Sequence, residues 1–347
     1  MISTSLEDRM PDLLELLARR PVVCAEGYLF ECERRGYLQA GAFVPEVVLE
    51  HPEVVEGLHR EFAHAGSDVI EAFTYYGHRE KLRVLGKEDI LEPLNRQALA
   101  IAARVAQDTG TLLAGNLSNT NVYEPGAEGP VRAAFTEQVA WAAEAGVDFI
   151  IAETFSWTGE ALLALEIIRE AGLPAVITYA VHREGTMRDG TSPADACLRA
   201  EQAGASVVGL NCIRGPQTLL PLLPPIREAV SCPVAALPVP YRTTEAQPSM
   251  QALRDPARDG AQAFPTALDP FTCTRQEMGE FATAALALGA TYLGVCCGAG
   301  PHHIRAVAEA VGEAPAASRY SPDMSKHSFL GSAPGITQSY REYAPNL

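Results

Sequence analysis

Three cysteines closely follow two short apolar runs that are typical of buried strands. Cys212 comes after the run 205–210, and Cys296 and Cys297 come after the run 291–295. The carboxyl ends of parallel strands meet at one edge of the sheet, where α/β folds assemble their sites. Three thiolates without a fourth protein ligand form a zinc site with one open position. The sequence therefore predicts a three-sulfur zinc centre at this edge.

The residues beside these cysteines bear on the same prediction. Adjacent cysteines on a regular strand point to opposite faces, so both can bind one metal only where the strand has ended. Gly294 and Gly298 flank the pair and permit such a backbone. Asn211 either orients Cys212 or the substrate through its amide, or caps the following turn. The alternative is that these cysteines are small buried hydrophobic side chains, which is our interpretation of the five cysteines without a partner motif: Cys24, Cys32, Cys197, Cys232 and Cys273.

An alternation of apolar segments and helical stretches is expected to position the sulfurs. Eight alternations of this length predict a (β/α)8 TIM barrel, and an open doubly wound sheet is the competing arrangement. The predicted strands are 21–25, 68–74, 111–115, 148–152, 175–179, 206–210, 233–237 and 292–295. The predicted helices are 1–20, 45–65, 90–108, 131–145, 159–171, 193–203, 216–229, 275–289 and 301–312.

Two segments depart from this alternation. The segment 238–273, rich in proline and charge, follows the seventh predicted strand, so we expect it to form a lid or a substrate wall at the catalytic face. Beyond the last predicted helix the periodicity is lost. We therefore predict one barrel domain over residues 1–312 and an extended carboxyl-terminal tail over residues 313–347.

Several motifs resemble those of a known enzyme family. Gly-Leu-Asn-Cys at 209–212 and Gly-Val-Cys-Cys-Gly at 294–298 resemble the zinc signature of the homocysteine S-methyltransferases, and Pro-His-His-Ile-Arg-Ala follows at 301–306 as in that family. The likeness extends to betaine–homocysteine S-methyltransferases and covers most of residues 12–312 in order. Further similar segments are 35–37, 50–53, 58–62, 148–153 and 322–326. The resemblance implies a barrel that binds zinc and methylates homocysteine.

A three-thiolate zinc site is suited to one kind of chemistry. Its net charge, about −1, makes it a poor Lewis acid for hydrolysis but suits it to holding a substrate thiol as thiolate. Such a sulfur can attack the methyl group of an onium donor, whose leaving group departs neutral. No general base is then needed, and the protein mainly aligns the reacting atoms.

Polar residues after the predicted strands are candidates for binding the acceptor. Glu153 follows the fourth strand, where a buried carboxylate requires a cation. The resemblance assigns it to the ammonium group of the substrate, and a salt bridge to a neighbouring Lys or Arg is the alternative. Glu26 follows Ala25, where the family has an acid, and it either reaches the same group or faces elsewhere. Thr74 and the backbone N–H of Gly27 are candidates for the substrate carboxylate.

The resemblance also indicates an aromatic cage for the donor, since aromatic faces hold onium cations. Tyr76 matches a cage aromatic, Phe43 stands where the family has tryptophan, and Thr154 stands where it has tyrosine. Glu71 and Leu237 stand where it has glutamines. These differences from the family leave the identity of the methyl donor open, and they leave the identity of the acceptor open as well. Ordinary core packing is the alternative for each aromatic side chain.

The bulk properties limit the partners and the compartment. A formal net charge of −16 over 347 residues argues against a nucleic-acid partner. The apolar runs are shorter than the ~20 residues of a membrane span, and the first residues lack a signal pattern. Eight cysteines in such a chain do not form a disulfide scaffold. We expect a cytoplasmic protein, and the sequence leaves a homo-oligomer open.

The leading prediction from the sequence is an S-methyltransferase that uses Zn²⁺ to move a methyl group from an onium donor to a thiol, most simply homocysteine, which gives methionine. One alternative is a demethylase of another N- or S-methylated natural product that uses homocysteine or another thiol as acceptor. A second alternative, of another class, is a non-catalytic zinc- or thiol-sensing barrel.

Overall fold

A computed structural model describes residues 11–347. Its strands are β1 Val22–Ala25, β2 Val69–Glu71, β3 Leu112–Ser118, β4 Phe149–Phe155, β5 Ala175–Tyr179, β6 Val207–Asn211, β7 Val234–Leu237, β8 Arg254–Asp255, β9 Ala261–Gln262 and β10 Ala290–Val295. Eight parallel strands close into a barrel in the order β1-β10-β7-β6-β5-β4-β3-β2, which confirms the predicted (β/α)8 fold. The remaining two strands, β8 and β9, form a separate antiparallel hairpin.

The barrel strands are apolar because both of their faces are covered. Strands buried on both faces read as continuous hydrophobic runs, which explains why all eight were predictable. One face packs against the surrounding helices. The other face fills the barrel interior, and Leu13 at the start of the first helix closes the bottom of this inner core. The strand residues of the inner core are Val22, Cys24, Val69, Leu112, Ala114, Phe149, Ile151, Val176, Val207, Ala235, Leu237 and Tyr292.

The helices follow the predictions with several differences. The predicted helix 45–65 is two helices separated at His51, since the residue before a proline is disfavoured in helical geometry. The predicted helix 216–229 is interrupted by a 3-10 turn at Leu220–Leu222. The helices are α1 Leu13–Leu17, α2 Tyr28–Arg34, α3 Val47–Glu50, α4 Pro52–Ala65, α5 Arg79–Leu85, α6 Leu91–Thr109, α7 Gly129–Glu144, α8 Thr158–Glu170, α9 Pro193–Gln202, α10 Pro216–Leu219, α11 Leu223–Ala229, α12 Arg275–Ala287, α13 Pro301–Ala310 and α14 Gln338–Tyr343.

Parts of the chain differ from the expected pattern or lie outside the described residues. The sequence did not predict α2 and α5, which begin soon after β1 and β2. The first ten residues of the predicted leading helix 1–20 lie outside the described range. The first residues of the chain, which lack a signal-peptide pattern, also lie outside it. The segment 313–347 is mostly exposed and contains α14 with three 3-10 turns. The division between barrel and tail stays a prediction. In residues 11–347 no helix is both long and apolar enough to cross a bilayer.

Candidate active site

The structure brings together the three cysteines that the sequence selected. The Sγ atoms of Cys212, Cys296 and Cys297 lie within 4.8 Å of one another. All three side chains are buried, with exposed fractions of 4, 1 and 8% respectively. In a tetrahedral zinc–thiolate site the sulfurs lie about 3.8 Å apart, as follows from Zn–S bonds of about 2.3 Å. The spacing and the chemistry of these sulfurs therefore fit a zinc ion with one open position.

A sharp change in the backbone turns Cys212 into the site. Strand β6 ends at Asn211, and both Cys212 and Ile213 adopt positive φ angles, 55° and 58°. The backbone N–H of Cys212 donates to the carbonyl of Leu237, at 2.9 Å, which keeps the residue attached to β7. The Cys212 sulfur thus points into the site at the mouth of the barrel.

The vicinal cysteines lie in a turn beyond β10, as their sequence required. The backbone N–H of Cys296 donates to the carbonyl of Pro238, at 2.9 Å. Gly298 has a φ of 95°, and a Cβ there would lie 2.2 Å from the Tyr241 hydroxyl. Arg34 donates to both the Gly298 carbonyl, at 3.1 Å, and the Tyr241 hydroxyl, at 2.8 Å. These contacts fix the turn that directs both sulfurs toward Cys212.

The three thiols behave as one electrostatic unit. Hydrogen bonds from Cys296 and Cys297 lower the pKa of the Cys212 thiol well below its ordinary range. Burial raises the pKa of Cys296, and the hydrogen bond with Cys212 raises the pKa of Cys297. Asn211 adds an N–H bond to the Cys296 sulfur, at 3.8 Å. The trio therefore favours a single thiolate, at Cys212, and the other two thiols would lose their protons on binding a metal.

A chain of carboxylates and amides adjoins the sulfurs. Asn116 Nδ2 donates to Glu71 Oε1 and to Glu153 Oε1, both at 2.7 Å. Asn211 Nδ2 donates to Glu153 Oε2, at 2.5 Å, and to Glu26 Oε2, at 3.1 Å. Glu26 therefore faces the site, and its contact with the substrate stays a prediction. Two neutral amides hold three carboxyl groups in one cluster.

Strand periodicity explains how these side chains meet. Side chains two positions apart share a face of a strand, so a residue two positions beyond an inner-core residue also points inward. Glu71 follows Val69 in this way, and Glu153 follows Ile151. These polar residues are thus the uppermost layer of the barrel interior.

A bulge in β4 adds Thr154 to the same face as Glu153. The register between β4 and β5 shifts between Ala152 and Phe155, and Thr154 has a φ of 63°. Its backbone N–H donates to Asn211 Oδ1, at 3.0 Å, and its hydroxyl donates to Glu153 Oε2, at 3.1 Å. Bulges of this kind re-aim side chains next to active sites.

The three carboxyl groups lack a cationic partner within residues 11–347. Glu26, Glu71 and Glu153 are 5, 3 and 4% exposed, and none of them forms an ion pair with a described lysine or arginine. The alternative of a salt bridge from Glu153 to a neighbouring Lys or Arg is therefore wrong. Burial and mutual repulsion raise the pKa of Glu26 and of Glu71, and burial and the Cys212 sulfur raise the pKa of Glu153 to about 7.

Unsatisfied acceptors in this cluster face a small cavity. Glu26 Oε1 and Asn116 Oδ1 are buried and have no hydrogen-bond partner among residues 11–347. The cavity has a volume of about 20 Å³ and is bordered by the three glutamates, Asn116, Cys296 and Cys297, among others. A group the size of a water molecule needs about 10–15 Å³. The cavity therefore suits one small group that donates several N–H bonds.

A second, much larger cavity opens above the sulfurs. It has a volume of about 900 Å³ and is bordered by Cys212 and Cys297 at its base. The predicted cage residues Phe43, Tyr76 and Thr154 all line it. Its other aromatic side chains are Phe30, Tyr75 and Phe264.

The remaining predicted site residues lie differently. Glu71 borders the small cavity and not the large one, and Leu237 belongs to the inner core. The Thr74 hydroxyl donates to the Asn116 carbonyl, at 2.9 Å, and a Cβ at Gly27 would lie 2.3 Å from the Ala299 carbonyl. Neither Thr74 nor Gly27 borders the two cavities, and their part in binding a carboxylate stays a prediction.

Strained backbone is concentrated at the large cavity. Among residues 11–347, seven residues other than glycine have positive φ angles, and all except Asp259 line this cavity. Such conformations cost roughly 1–3 kcal/mol each and persist where the surrounding structure enforces them. The six lining residues are Phe43, Tyr76, Asn121, Thr154, Cys212 and Ile213. This distribution indicates a site where the fold keeps strained backbone conformations because they direct the side chains into the cavity.

Sequence reasoning missed several residues of the site. Asn116 continues the inward-facing series of Leu112 and Ala114, and this period-two pattern could have identified it. Asn119 and Tyr75, which also line the large cavity, lie in loops that carry no such pattern. The insertion 238–273 contributes part of the cavity wall, as expected.

The carboxyl cluster leads to a prediction on pH and stability. A carboxyl group with a raised pKa in the folded state destabilises the fold progressively as pH rises above its ordinary value, because the unfolded chain loses the proton first. Glu71→Gln keeps the acceptor oxygen for Asn116 and removes one buried charge, so it should stabilise the protein by about 1–2 kcal/mol at pH 8 and by less at pH 5.5. The melting temperatures of both proteins at the two pH values measure this.

A surface substitution controls for the general loss of one negative charge. Glu228→Gln changes an exposed glutamate of α11 and should alter stability by under about 0.5 kcal/mol at both pH values. Comparing each variant with the parent at the same pH cancels effects of metal release. A Glu71→Gln benefit that does not grow between pH 5.5 and pH 8 would contradict the prediction.

The chain is similar to known proteins both in sequence and in structure. The profile of the family described as homocysteine S-methyltransferase matches residues 15–311. Betaine–homocysteine S-methyltransferase 1 of Xenopus tropicalis is 36% identical, over 92% of this chain and 80% of its own length. The same enzyme of Mus musculus is 35% identical, over 96% and 84%. S-methylmethionine–homocysteine S-methyltransferase BHMT2 of Pongo abelii is 33% identical, over 96% and 92%.

A solved structure shares the architecture. The metallated form of the homocysteine methyltransferase MmuM from Escherichia coli superposes with a TM-score of 0.64, at 19% identity. The match covers 84% of this chain and 97% of that chain. At this identity the likeness supports the barrel fold alone.

Proposed function

The chain belongs to the homocysteine S-methyltransferase family and is an S-methyltransferase, and from this premise we propose that it uses zinc to move a methyl group from an onium donor to homocysteine. Zinc held by Cys212, Cys296 and Cys297 would keep the homocysteine sulfur as a thiolate in the open position. The membership in a family of enzymes favours catalysis over the sensing alternative.

One observation carries the proposal: the sulfur cluster lies where two unlike cavities meet. Cys297 borders both the small cavity, which is lined by carboxyl groups, and the large cavity, which is lined by aromatic rings. A thiol bound at the cluster would therefore have an amino-acid head on one side and a methyl donor on the other. This is the arrangement that transfer between two bound substrates requires.

The small cavity is suited to the ammonium group of the acceptor. Glu26 Oε1 and Asn116 Oδ1 are buried acceptors that no described residue satisfies, and an ammonium group donates three hydrogen bonds. Its positive charge would also offset the repulsion between Glu26 and Glu153. Asn211 orients both carboxylates and so positions the ammonium relative to the sulfur.

The large cavity is suited to the donor. The rings of Tyr75 and Tyr76 lie with their centroids 4.5 Å apart at its wall, and Phe43 adds a third aromatic face. Lys81 lies over the Tyr76 ring, with Nζ 4.8 Å from the centroid, so one face of that ring is already occupied by a cation. The remaining faces can hold an onium group with its methyl directed at the sulfurs.

The bond changes balance without a further reactant. The thiol proton leaves to solvent, the sulfur lone pair forms a new bond to the methyl carbon, and the pair of the broken C–N or C–S bond stays with the leaving atom. That atom becomes neutral, so no residue of the chain has to protonate it. The work of the chain is to orient the substrates and exclude water.

A donor screen tests the proposed function. Purified protein loaded with zinc is incubated with homocysteine and, separately, with betaine, dimethylsulfoniopropionate, S-methylmethionine or another N-methylated carboxylate. We expect methionine from at least one donor, in amounts equal to the demethylated product, and about one zinc per chain.

Two controls sharpen the result. Replacing homocysteine by homoserine, which has a hydroxyl in place of the thiol, should abolish transfer. Removal of zinc with a chelator should abolish transfer reversibly. Methyl transfer that continues unchanged in the zinc-free protein, or zinc absent from fully reduced protein, would refute the proposal.

A further inference from the structure

The mouth of the large cavity carries three arginines that methyl transfer alone does not require. Arg183 and Arg188 come from the segment between β5 and α9, and Arg254 comes from β8. All three side chains are exposed and border the cavity. Within residues 11–347 none of them forms an ion pair with a carboxylate.

The positive charge of this cavity lies at its mouth. Glu184 is the one carboxylate among the described residues that line it, so three arginines leave an excess of positive charge there. The sulfurs of Cys212 and Cys297 border the buried base, and the exposed arginines border the opening. The two ends of the cavity therefore present different chemistry to a ligand.

Such a mouth is unfavourable for a donor that is only a cation. The arginines would repel a purely cationic donor. A positive patch is also unexpected on a protein with a net charge of −16, unless it binds an anion. A donor that has an onium group at one end and an acidic group at the other would match both regions. The acidic group would then lie at the arginines while the methyl group faces the sulfurs.

Arg188 is held in position for such a contact. Its guanidinium lies over the Trp157 ring, with Cζ 5.1 Å from the centroid. Its backbone N–H donates to the Ser156 carbonyl, at 2.8 Å. A guanidinium that is already oriented loses less freedom when it binds a carboxylate or phosphate through two parallel hydrogen bonds.

The volume of the cavity bears on the length of the donor. Pockets for drug-sized ligands have volumes of about 300–1,000 Å³, and this one, at about 900 Å³, lies near the upper end. Trimethylglycine, in which one methylene joins the onium and the carboxylate, fills only a small part of such a space. The arginines lie at the exposed mouth and the sulfurs at the buried base, so a longer molecule is needed to reach both.

We propose that the donor is a zwitterion longer than trimethylglycine, with its onium group at the aromatic rings and a carboxylate or phosphate bound by Arg183, Arg188 and Arg254. This inference rests on the proposed function, because it assumes that the large cavity holds the methyl donor. It adds a recognition site that explains the altered aromatic cage: binding energy supplied at the acidic end compensates for the weaker rings.

Direct binding to the zinc-loaded protein tests the proposal. Calorimetric titrations would use trimethylammonio carboxylates with spacers of increasing length, the matching trimethylammonio alcohols, and phosphocholine. We expect an acidic zwitterion to bind at least about tenfold more tightly than the matching alcohol, and longer carboxylates to bind more tightly than trimethylglycine. The carboxylate and phosphocholine titrations show which acidic group the arginines prefer.

Substitutions assign the effect to the arginines. Arg188→Gln and Arg254→Gln should each weaken binding of the preferred zwitterion about 3–10-fold, and the alcohol should be unaffected. Arg258→Gln is the matched control, because Arg258 is exposed in the same insertion, forms no ion pair among the described residues and does not border the cavity. It should leave both affinities unchanged.

These measurements separate the anion site from the methyl transfer to homocysteine. Equal binding of zwitterions and alcohols, or an effect of Arg258→Gln as large as that of Arg188→Gln, would overturn the anion site while leaving methyl transfer to homocysteine intact. Arginine-dependent binding of zwitterions, together with methyl transfer only from donors that lack an acidic group, would keep the proposed function and overturn the assignment of the zwitterion as donor. No transfer from any donor of either kind would refute the proposed function.

Discussion

Cys212→Ser is expected to remove tightly bound zinc and to abolish methyl transfer. Its sulfur lies within 4.8 Å of those of Cys296 and Cys297, and of the three thiols it alone has a lowered pKa. A serine hydroxyl remains protonated at neutral pH and is a poor zinc ligand, so we expect the affinity for zinc to fall at least about 100-fold. Metal content after dialysis against a weak chelator, together with methionine formation, measures both effects.

A cysteine remote from the site provides the control. Cys232 is half-buried and precedes β7 at the opposite end of the strand from the site, so Cys232→Ser should retain one zinc per chain and full activity. Cys297→Ser should reproduce the loss caused by Cys212→Ser. If Cys212→Ser retained stoichiometric zinc under the same dialysis, the three sulfurs would not be the metal site.

Glu153→Gln is expected to weaken binding of homocysteine about 10–100-fold while zinc remains bound. Glu153 is 4% exposed, and amide N–H bonds from Asn116 and Asn211 reach both of its carboxylate oxygens. A hydrogen bond to a charged group contributes about 1.5–3 kcal/mol, and each 1.4 kcal/mol is tenfold in affinity. The substitution removes the charge that would pair with the substrate ammonium. The Michaelis constant for homocysteine, with zinc content measured in parallel, tests this.

A thiol without an amino group separates binding from a general disturbance of the site. Butanethiol has the same reactive sulfur as homocysteine but no ammonium, so its methylation should be little affected by Glu153→Gln. Glu228→Gln, on the surface of α11, should change neither substrate. An equal loss for homocysteine and for butanethiol would show that Glu153 supports the metal site and does not recognise the ammonium.

Most of the barrel could be predicted from the sequence. All eight barrel strands were predicted because strands covered on both faces are continuous apolar runs, and β5 was located to the residue. The helices were predicted less sharply where prolines interrupt them. Helices α2 and α5, of seven residues each, were missed because they are too short to show a clear helical period.

The sequence also determined which sulfurs could meet, since cysteines at the ends of parallel strands must lie at the same end of a barrel. It did not determine the contacts among the carboxyl groups. Asn116 links Glu71 to Glu153 across three strands, and this depends on strand register, which a single sequence does not reveal.

Only the tertiary structure decided how side chains beyond the strands are aimed. Thr154 joins Glu153 on one face through a bulge, and Cys212 turns inward through a positive φ angle. The three arginines at the cavity mouth come from two segments far apart along the chain, the loop between β5 and α9 and strand β8. Strand periodicity follows from local geometry and can be read from neighbouring residues, whereas bulges, strained turns and loop positions depend on the packing of the whole barrel.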